Sequence, residues 1–233
     1  MPKVPSKPAF ANMVIRVLLY NCLLALMLLA APGAGAGERL RIVVLGDSLA
    51  AGPGLARSEA FPAQLERALA ARGHAVEVID AGVSGDTTAG GLARLAWAVP
   101  DGTEAAIVEL GANDALRGLD PAKARANLDE IVGALRRRGV EVLLAGMMAP
   151  RNMGRDYVRA FDAIYPELAR KHDVILYPFF LEGVALQARL NLDDGIHPNA
   201  RGVAEITKRI LPSVEQLIER VRARAAAPAG SKG

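Results

Sequence analysis

Along the chain, short apolar runs alternate with longer stretches in which apolar and polar positions recur with a helical period. The runs are Leu40–Leu45, Ala75–Asp80, Ala105–Leu110, Val140–Gly146 and Val174–Tyr177. Most are near-continuous rather than alternating, the mark of strands buried on both faces of a parallel sheet. Between them Phe61–Ala71, Thr87–Val99, Pro121–Arg138, Asp156–Lys171 and Ala200–Ala223 read as amphipathic helices. Pro62 stands early in the first of these, where a missing N–H costs little. Asp120 is placed to cap the third, and Gly139 to end it. Strand alternating with helix five times predicts an α/β protein: a three-layer α/β/α sandwich around a five-stranded parallel sheet. No internal repeat or linker interrupts the pattern, so residues 37–223 are expected to form one domain. The small, polar stretch 224–233 is expected to be a disordered tail.

The N-terminal residues follow a different pattern. Lys3, Lys7 and Arg16 precede the apolar run Val17–Ala31, and Ala34-Gly35-Ala36 follows it. A basic start, a 15-residue apolar run and an Ala-x-Ala site predict a secretory signal peptide over 1–36, cut after Ala36. The run is short for a permanent span, which needs about 20 apolar residues. The location expected is the periplasm or the exterior, with no stable membrane span after cleavage. Charge then reads differently. The whole chain carries 28 Lys and Arg against 25 Asp and Glu, a formal +3. The three basic residues of 1–36 account for all of the excess, so the mature chain is neutral and offers no electrostatic footprint for nucleic acid. Cys22, the only cysteine, lies inside the apolar run. The mature protein therefore has no disulfide, thiol nucleophile or cysteine-based metal site.

In a doubly wound sheet, functional groups collect in the loops at the carboxyl ends of the strands. Four such loops are rich in Gly, Asn, Asp or Ser: "GDSLAAGPG", "AGVSGDTTAGG", "GANDALRG" and "MMAPRNMGRDY". Ser48 lies in the first. Alone, that turn is no more than a capped helix start. A nucleophilic serine needs a base, usually histidine near neutral pH. His74 and His172 precede the second and fifth strands, on the opposite edge. His197, in "NLDDGIHPNARG", follows the fifth strand and is the one histidine placed to act as base. Asp194, three residues before it, can reach the imidazole across a Gly-containing turn, and spacing leaves Asp193 open as well. Metal-ligand spacing is missing, and "GVSGDTTAGG" lacks both the P-loop ending and the dinucleotide fingerprint. No metal and no cofactor are expected.

Four separated segments resemble the sequence blocks of the SGNH (GDSL) hydrolases: "GDSL" at 46–49, "GVSGDT" at 82–87, "GAND" at 111–114 and "DGIHP" at 194–198. They fall in the family's order and cover the chain from about 40 to 200. "GDTTAGGLARL", "VELGANDALRGL", "YPELA" and "DDGIHPN" are closest to its exported bacterial subgroup of acyl-CoA thioesterases, arylesterases and lysophospholipases. The resemblance implies a flavodoxin-like sheet and a two-step hydrolysis through an acyl-enzyme on Ser48. It implies His197 as general base and acid and Asp194 as the residue orienting it. It also implies an oxyanion hole from the backbone N–H groups of Ser48 and Gly85 and the side-chain amide of Asn113. Asp47 and Asp114 then read as loop-shaping groups. Ala112 and Asp80 stand where the family more often has Gly and Asn. Substrates implied are small-molecule acyl esters or lipids, such as aryl esters, lysophospholipids and acyl thioesters. Met153 and Tyr157, in the loop that borders the acyl pocket in the subgroup, are the expected pocket residues. The alternatives are a carbohydrate O-acetylesterase of the same superfamily and a non-catalytic binding module on this scaffold.

Overall fold

A computed structural model describes residues 39–227; the expected leader, 1–36, and residues 228–233 lie outside the described residues. The strands are β1 (Leu40–Gly46), β2 (Val76–Gly82), β3 (Ala105–Glu109), β4 (Glu141–Ala145) and β5 (Ile175–Tyr177). They form one parallel sheet in the order β2-β1-β3-β4-β5. The central strands β3 and β4 are buried at every position, whereas the edge strand β2 alternates. Apolar runs in the sequence thus mark sheet position as well as strand identity.

Helices cover both faces. On one, α2 (Phe61–Ala71) packs against α8 (Ala200–Ala226), and α8 lies on β4 and β5. On the other, α5 (Pro121–Arg137) packs between α3 (Thr88–Ala98) and the pair α6 (Arg155–Asp162) and α7 (Ile164–His172). Two short helices fill the expected loops at the sheet edge: α1 (Ser48–Ala51) and α4 (Ala112–Leu116). Among the described residues no helix is long and apolar enough to cross a membrane.

Two boundaries differ from the sequence pattern for definite reasons. The helix expected over Asp156–Lys171 breaks at Ala163 into α6 and α7. Pro166 has no N–H to give the carbonyl of Asp162, so the chain restarts a helix with Pro166 in its first turn. The last helix runs to Ala226, three residues into the stretch expected to be disordered. Its sequence there is Ala and Arg, good helix formers, and Arg224 reaches Glu141 at 3.3 Å.

The register aligns the carboxyl ends. Gly46 of β1 sits beside Gly82 of β2 and Glu109 of β3. The β1–β3 boundary is where the strand order reverses, the crevice at which such sheets bind ligands. Helix α1 crosses these ends so closely that a Cβ on Gly82 would lie 2.6 Å from the backbone nitrogen of Ala51.

Candidate active site

The turn after β1 places Ser48 at the start of α1. Asp47 is the N-cap: its Oδ1 accepts from the Leu49 N–H at 2.9 Å. Ser48 is buried except for a side-chain edge facing a cavity.

The opposite wall comes from the segment after β5. An antiparallel bridge joins Asn191 to Pro198, and the Leu192 N–H donates to the His197 carbonyl at 2.8 Å. Asn199 caps α8 through the N–H groups of Arg201 and Gly202. Inside this closed turn, Asp194 Oδ1 accepts from the Ile196 and His197 N–H groups at 2.8 and 2.9 Å. Its Oδ2 lies 2.6 Å from His197 Nδ1. The His197 backbone N–H foremost, then its ring, then the Ile196 N–H hold the Asp194 carboxyl down at about 2. His197 Nε2 in turn lies 2.9 Å from Ser48 Oγ. Asp194, His197 and Ser48 therefore form a continuous hydrogen-bonded line. The turn leaves Asp193 out of it.

The loop after β2 carries Gly85 at φ +81°, a conformation that L side chains rarely adopt, and its carbonyl accepts from Arg117 at 2.7 Å. The loop after β3 carries Asn113. Its amide nitrogen donates to Asp47 Oδ2 at 3.1 Å and to the Asp86 carbonyl at 2.9 Å, which ties the first three loops together. Asp114 accepts from the Thr88 N–H and hydroxyl at 2.8 and 2.7 Å, anchoring the start of α3. Asp47 and Asp114 shape the loops, as expected. Asp80 caps the Gly82 N–H at 2.9 Å. His74 faces Glu215 and His172 faces Asp129, away from this edge.

Beside Ser48 opens a cavity of about 820 Å³, walled mainly by apolar side chains. Met147, Met148, Leu116, Phe179, Leu181, Leu186 and Ile196 line it together with Ser48, Asn113 and His197. Met153 and Tyr157 do not. Tyr157 donates its hydroxyl hydrogen to the Leu119 carbonyl at 2.9 Å and stacks on Phe161, so it is a strut behind the third loop. Met153 lies against Gly118. The chain turns through a short 3-10 helix at Arg151–Met153, and Arg151 and Asn152 line the cavity instead. The apolar stretch "PFFLEGVAL" at 178–186 supplies much of the wall. Its signal in the sequence was position: an apolar run directly after the last strand, on the functional edge.

A flavodoxin-like sheet bearing a Ser–His–Asp line and an apolar cavity at its switch point defines a serine-type hydrolase site. Residues 44–205 match the GDSL-like Lipase/Acylhydrolase family, and the chain belongs to that family. It is 38% identical over 205 residues to Esterase TesA of Pseudomonas aeruginosa, covering 88% of this chain and all of that one. It is 43% identical over 159 residues to Thioesterase 1/protease 1/lysophospholipase L1 of Escherichia coli K12, covering 68% and 75% of the two chains. Among solved structures, AlinE4, an SGNH-hydrolase family esterase, superposes with a TM-score of 0.66 at 51% identity, covering 77% of this chain and 97% of the other. The protein is an ester hydrolase with the α/β architecture of the SGNH family.

Proposed function

We propose that this chain is an exported serine esterase that cleaves carboxylic esters and thioesters of acyl chains, with Ser48, His197 and Asp194 as its catalytic residues. The observation that carries the reading is the 2.9 Å approach of His197 Nε2 to Ser48 Oγ, with Asp194 on the other ring nitrogen.

His197 Nε2 takes the Ser48 hydroxyl proton as Oγ attacks the acyl carbonyl. Asp194 holds the Nδ1–H tautomer and stabilises the imidazolium that results. Negative charge collects on the former carbonyl oxygen. The Ser48 and Gly85 N–H groups, which have no protein acceptor among the described residues, are available to it. The Asn113 amide joins them by turning its Asp47-facing hydrogen to the oxyanion. His197 then protonates the departing alcohol or thiol, leaving an acyl ester on Ser48. A water molecule, deprotonated by His197, attacks that ester; His197 returns the proton to Ser48 Oγ as its bond to the acyl carbon breaks, and the acid is released. Losing one oxyanion donor in such a site costs about 100- to 1,000-fold in turnover.

The apolar cavity supports acyl chains rather than acetyl groups, and aryl esters, lysophospholipids and acyl thioesters all present such a chain. With residues 1–36 read as a leader, the protein acts outside the cytosol, on lipid or exogenous esters rather than on acyl-CoA. The test is the purified mature protein on p-nitrophenyl esters from acetate to palmitate, beside an acyl-CoA and a lysophospholipid. Turnover that rises beyond acetate supports the reading. Strict preference for acetate points to an O-acetylesterase, and no turnover of any ester points to a binding module.

A further inference from the structure

We propose that Arg94 is a positioning residue for the oxyanion hole; this rests on the oxyanion donors assigned above. Arg94 comes from α3, makes no contact with the cavity, and has a side chain only 7% exposed. Its guanidinium makes three bonds to three separate segments. Nε donates to Asp86 Oδ2 at 2.6 Å, Nη1 to the Ala81 carbonyl at 2.7 Å, and Nη2 to the Gly46 carbonyl at 2.8 Å.

Each partner adjoins part of the site. Gly46 is two residues before Ser48, at the end of β1. Ala81 is at the end of β2, where the second loop departs. Asp86 directly follows Gly85, and its carbonyl accepts from the Asn113 amide at 2.9 Å. One rigid, planar cation thus fixes the carriers of all three donors relative to one another. A lysine, with one ammonium group and no fork, cannot span the same three acceptors. The chain also leaves room for this arrangement at Gly90, where a Cβ would lie 1.7 Å from Asp86 Oδ1. Alanine there would push the Asp86 carboxylate off Arg94.

The geometry acts on transition-state stabilisation. Substrate binding comes from the apolar cavity, and proton transfer from His197 and Asp194, none of which touches Arg94. Loss of Arg94 should therefore lower kcat and spare KM. Displacing donors by about 1 Å costs about 100-fold in rate.

The test compares Arg94→Ala, Arg94→Lys, Gly90→Ala and Asn113→Ala in the full mature protein on one p-nitrophenyl ester. Arg94→Ala should lose about 100-fold in kcat with KM within about threefold, and Arg94→Lys should recover only part of it. Added guanidinium should raise the kcat of Arg94→Ala and leave the wild type unaffected. In the Arg94→Ala/Asn113→Ala double variant, the losses should be markedly less than multiplicative. Should Arg94→Ala fail to fold, Gly90→Ala carries the same test, because it displaces Asp86 and keeps the cation. Wild-type kcat in folded Arg94→Ala or Gly90→Ala would overturn the positioning role while leaving the oxyanion assignment intact, as would fully multiplicative losses. Wild-type kcat in Asn113→Ala would instead remove the Asn113 donor, and with it the basis of the proposal.

Discussion

The backbone N–H of Asp47 donates to Glu109 Oε2 at 3.2 Å, which sets a fully buried acid directly beneath the turn that carries Ser48. The other oxygen of the same carboxyl, Oε1, has no partner among the described residues. Burial, and then the neighbouring Asp47 charge, push the Glu109 carboxyl well above its ordinary range, so the fold favours its neutral form. Glu109→Gln keeps a neutral acceptor of the same shape and should retain kcat within about threefold. Glu109→Leu strands the Asp47 N–H and should cost about 1–3 kcal/mol in stability. Urea unfolding and steady-state kinetics on both variants check this. Equal loss of activity in the two would show that the negative charge matters.

Stability should therefore depend on pH in two opposed windows. Burial pushes Asp47 up from 3.8 to about 6, and Glu109 moves up from 4.5. For both acids the folded chain holds the proton more tightly than the unfolded one. Their contribution is complete below about pH 4 and is lost as pH rises, through about 6 for Asp47 and above the ordinary carboxyl range for Glu109. Asp194 shifts the other way, from 3.8 to about 2, so its contribution is complete above 3.8 and is lost as pH falls towards 2. In thermal melts across these windows, Glu109→Gln should flatten the alkaline-side decline and Asp194→Asn the acid-side decline. Curves parallel to wild type at all pH values would contradict the assignment.

Chain-length preference should follow the cavity walls. Met148 is half-exposed at the mouth of the cavity, and Met153 lies outside it. Met148→Trp should shift the preferred ester towards shorter chains, whereas Met153→Trp should leave the profile of p-nitrophenyl esters unchanged. The reverse pattern would place the acyl chain on the other side of the 3-10 turn.

The contrast between Met148 and Met153 shows where sequence reasoning runs out. Position alone nominated Ser48 and His197, because strand ends are readable as apolar runs and a parallel sheet delivers all such ends to one edge, whereas Gly85 and Asn113 came only from the family resemblance. Spacing left Asp193 and Asp194 both open and the family resemblance implied Asp194; in three dimensions the turn folds the Asp194 carboxylate onto His197. The cavity was less legible still. An apolar residue in a loop can face the core, the solvent or a ligand: Met148 lines the cavity, whereas Met153, five residues on, lies against Gly118. The wall from Phe179 to Leu186 has no motif, because any apolar side chain of suitable volume can form it. Networks such as Arg94 with Asp86 were hidden for a related reason: α3 reads as an amphipathic helix, and periodicity does not reveal which polar side chain is buried.

Gly85→Ala should report on the second loop. An alanine at φ +81° is strained by about 1–2 kcal/mol, although the space around it is open, with Arg117 Nη2 3.5 Å from the added Cβ. Relief of that strain would move the Gly85 N–H, so kcat should fall by at least about tenfold with little change in KM. An unchanged kcat would remove this N–H from the oxyanion hole.

Ser48 is the proposed nucleophile, and covalent capture addresses that directly. The mature protein would be treated with a p-nitrophenyl alkylphosphonate, which loses p-nitrophenol and leaves a tetrahedral ester on the attacking oxygen. Adduct position is then read by peptide mass spectrometry alongside residual esterase activity. One adduct per chain on Ser48, growing in step with the loss of activity and formed far more slowly in His197→Ala, is the predicted result. Complete inactivation with Ser48 unmodified, or an adduct on another residue that tracks the loss, would contradict it.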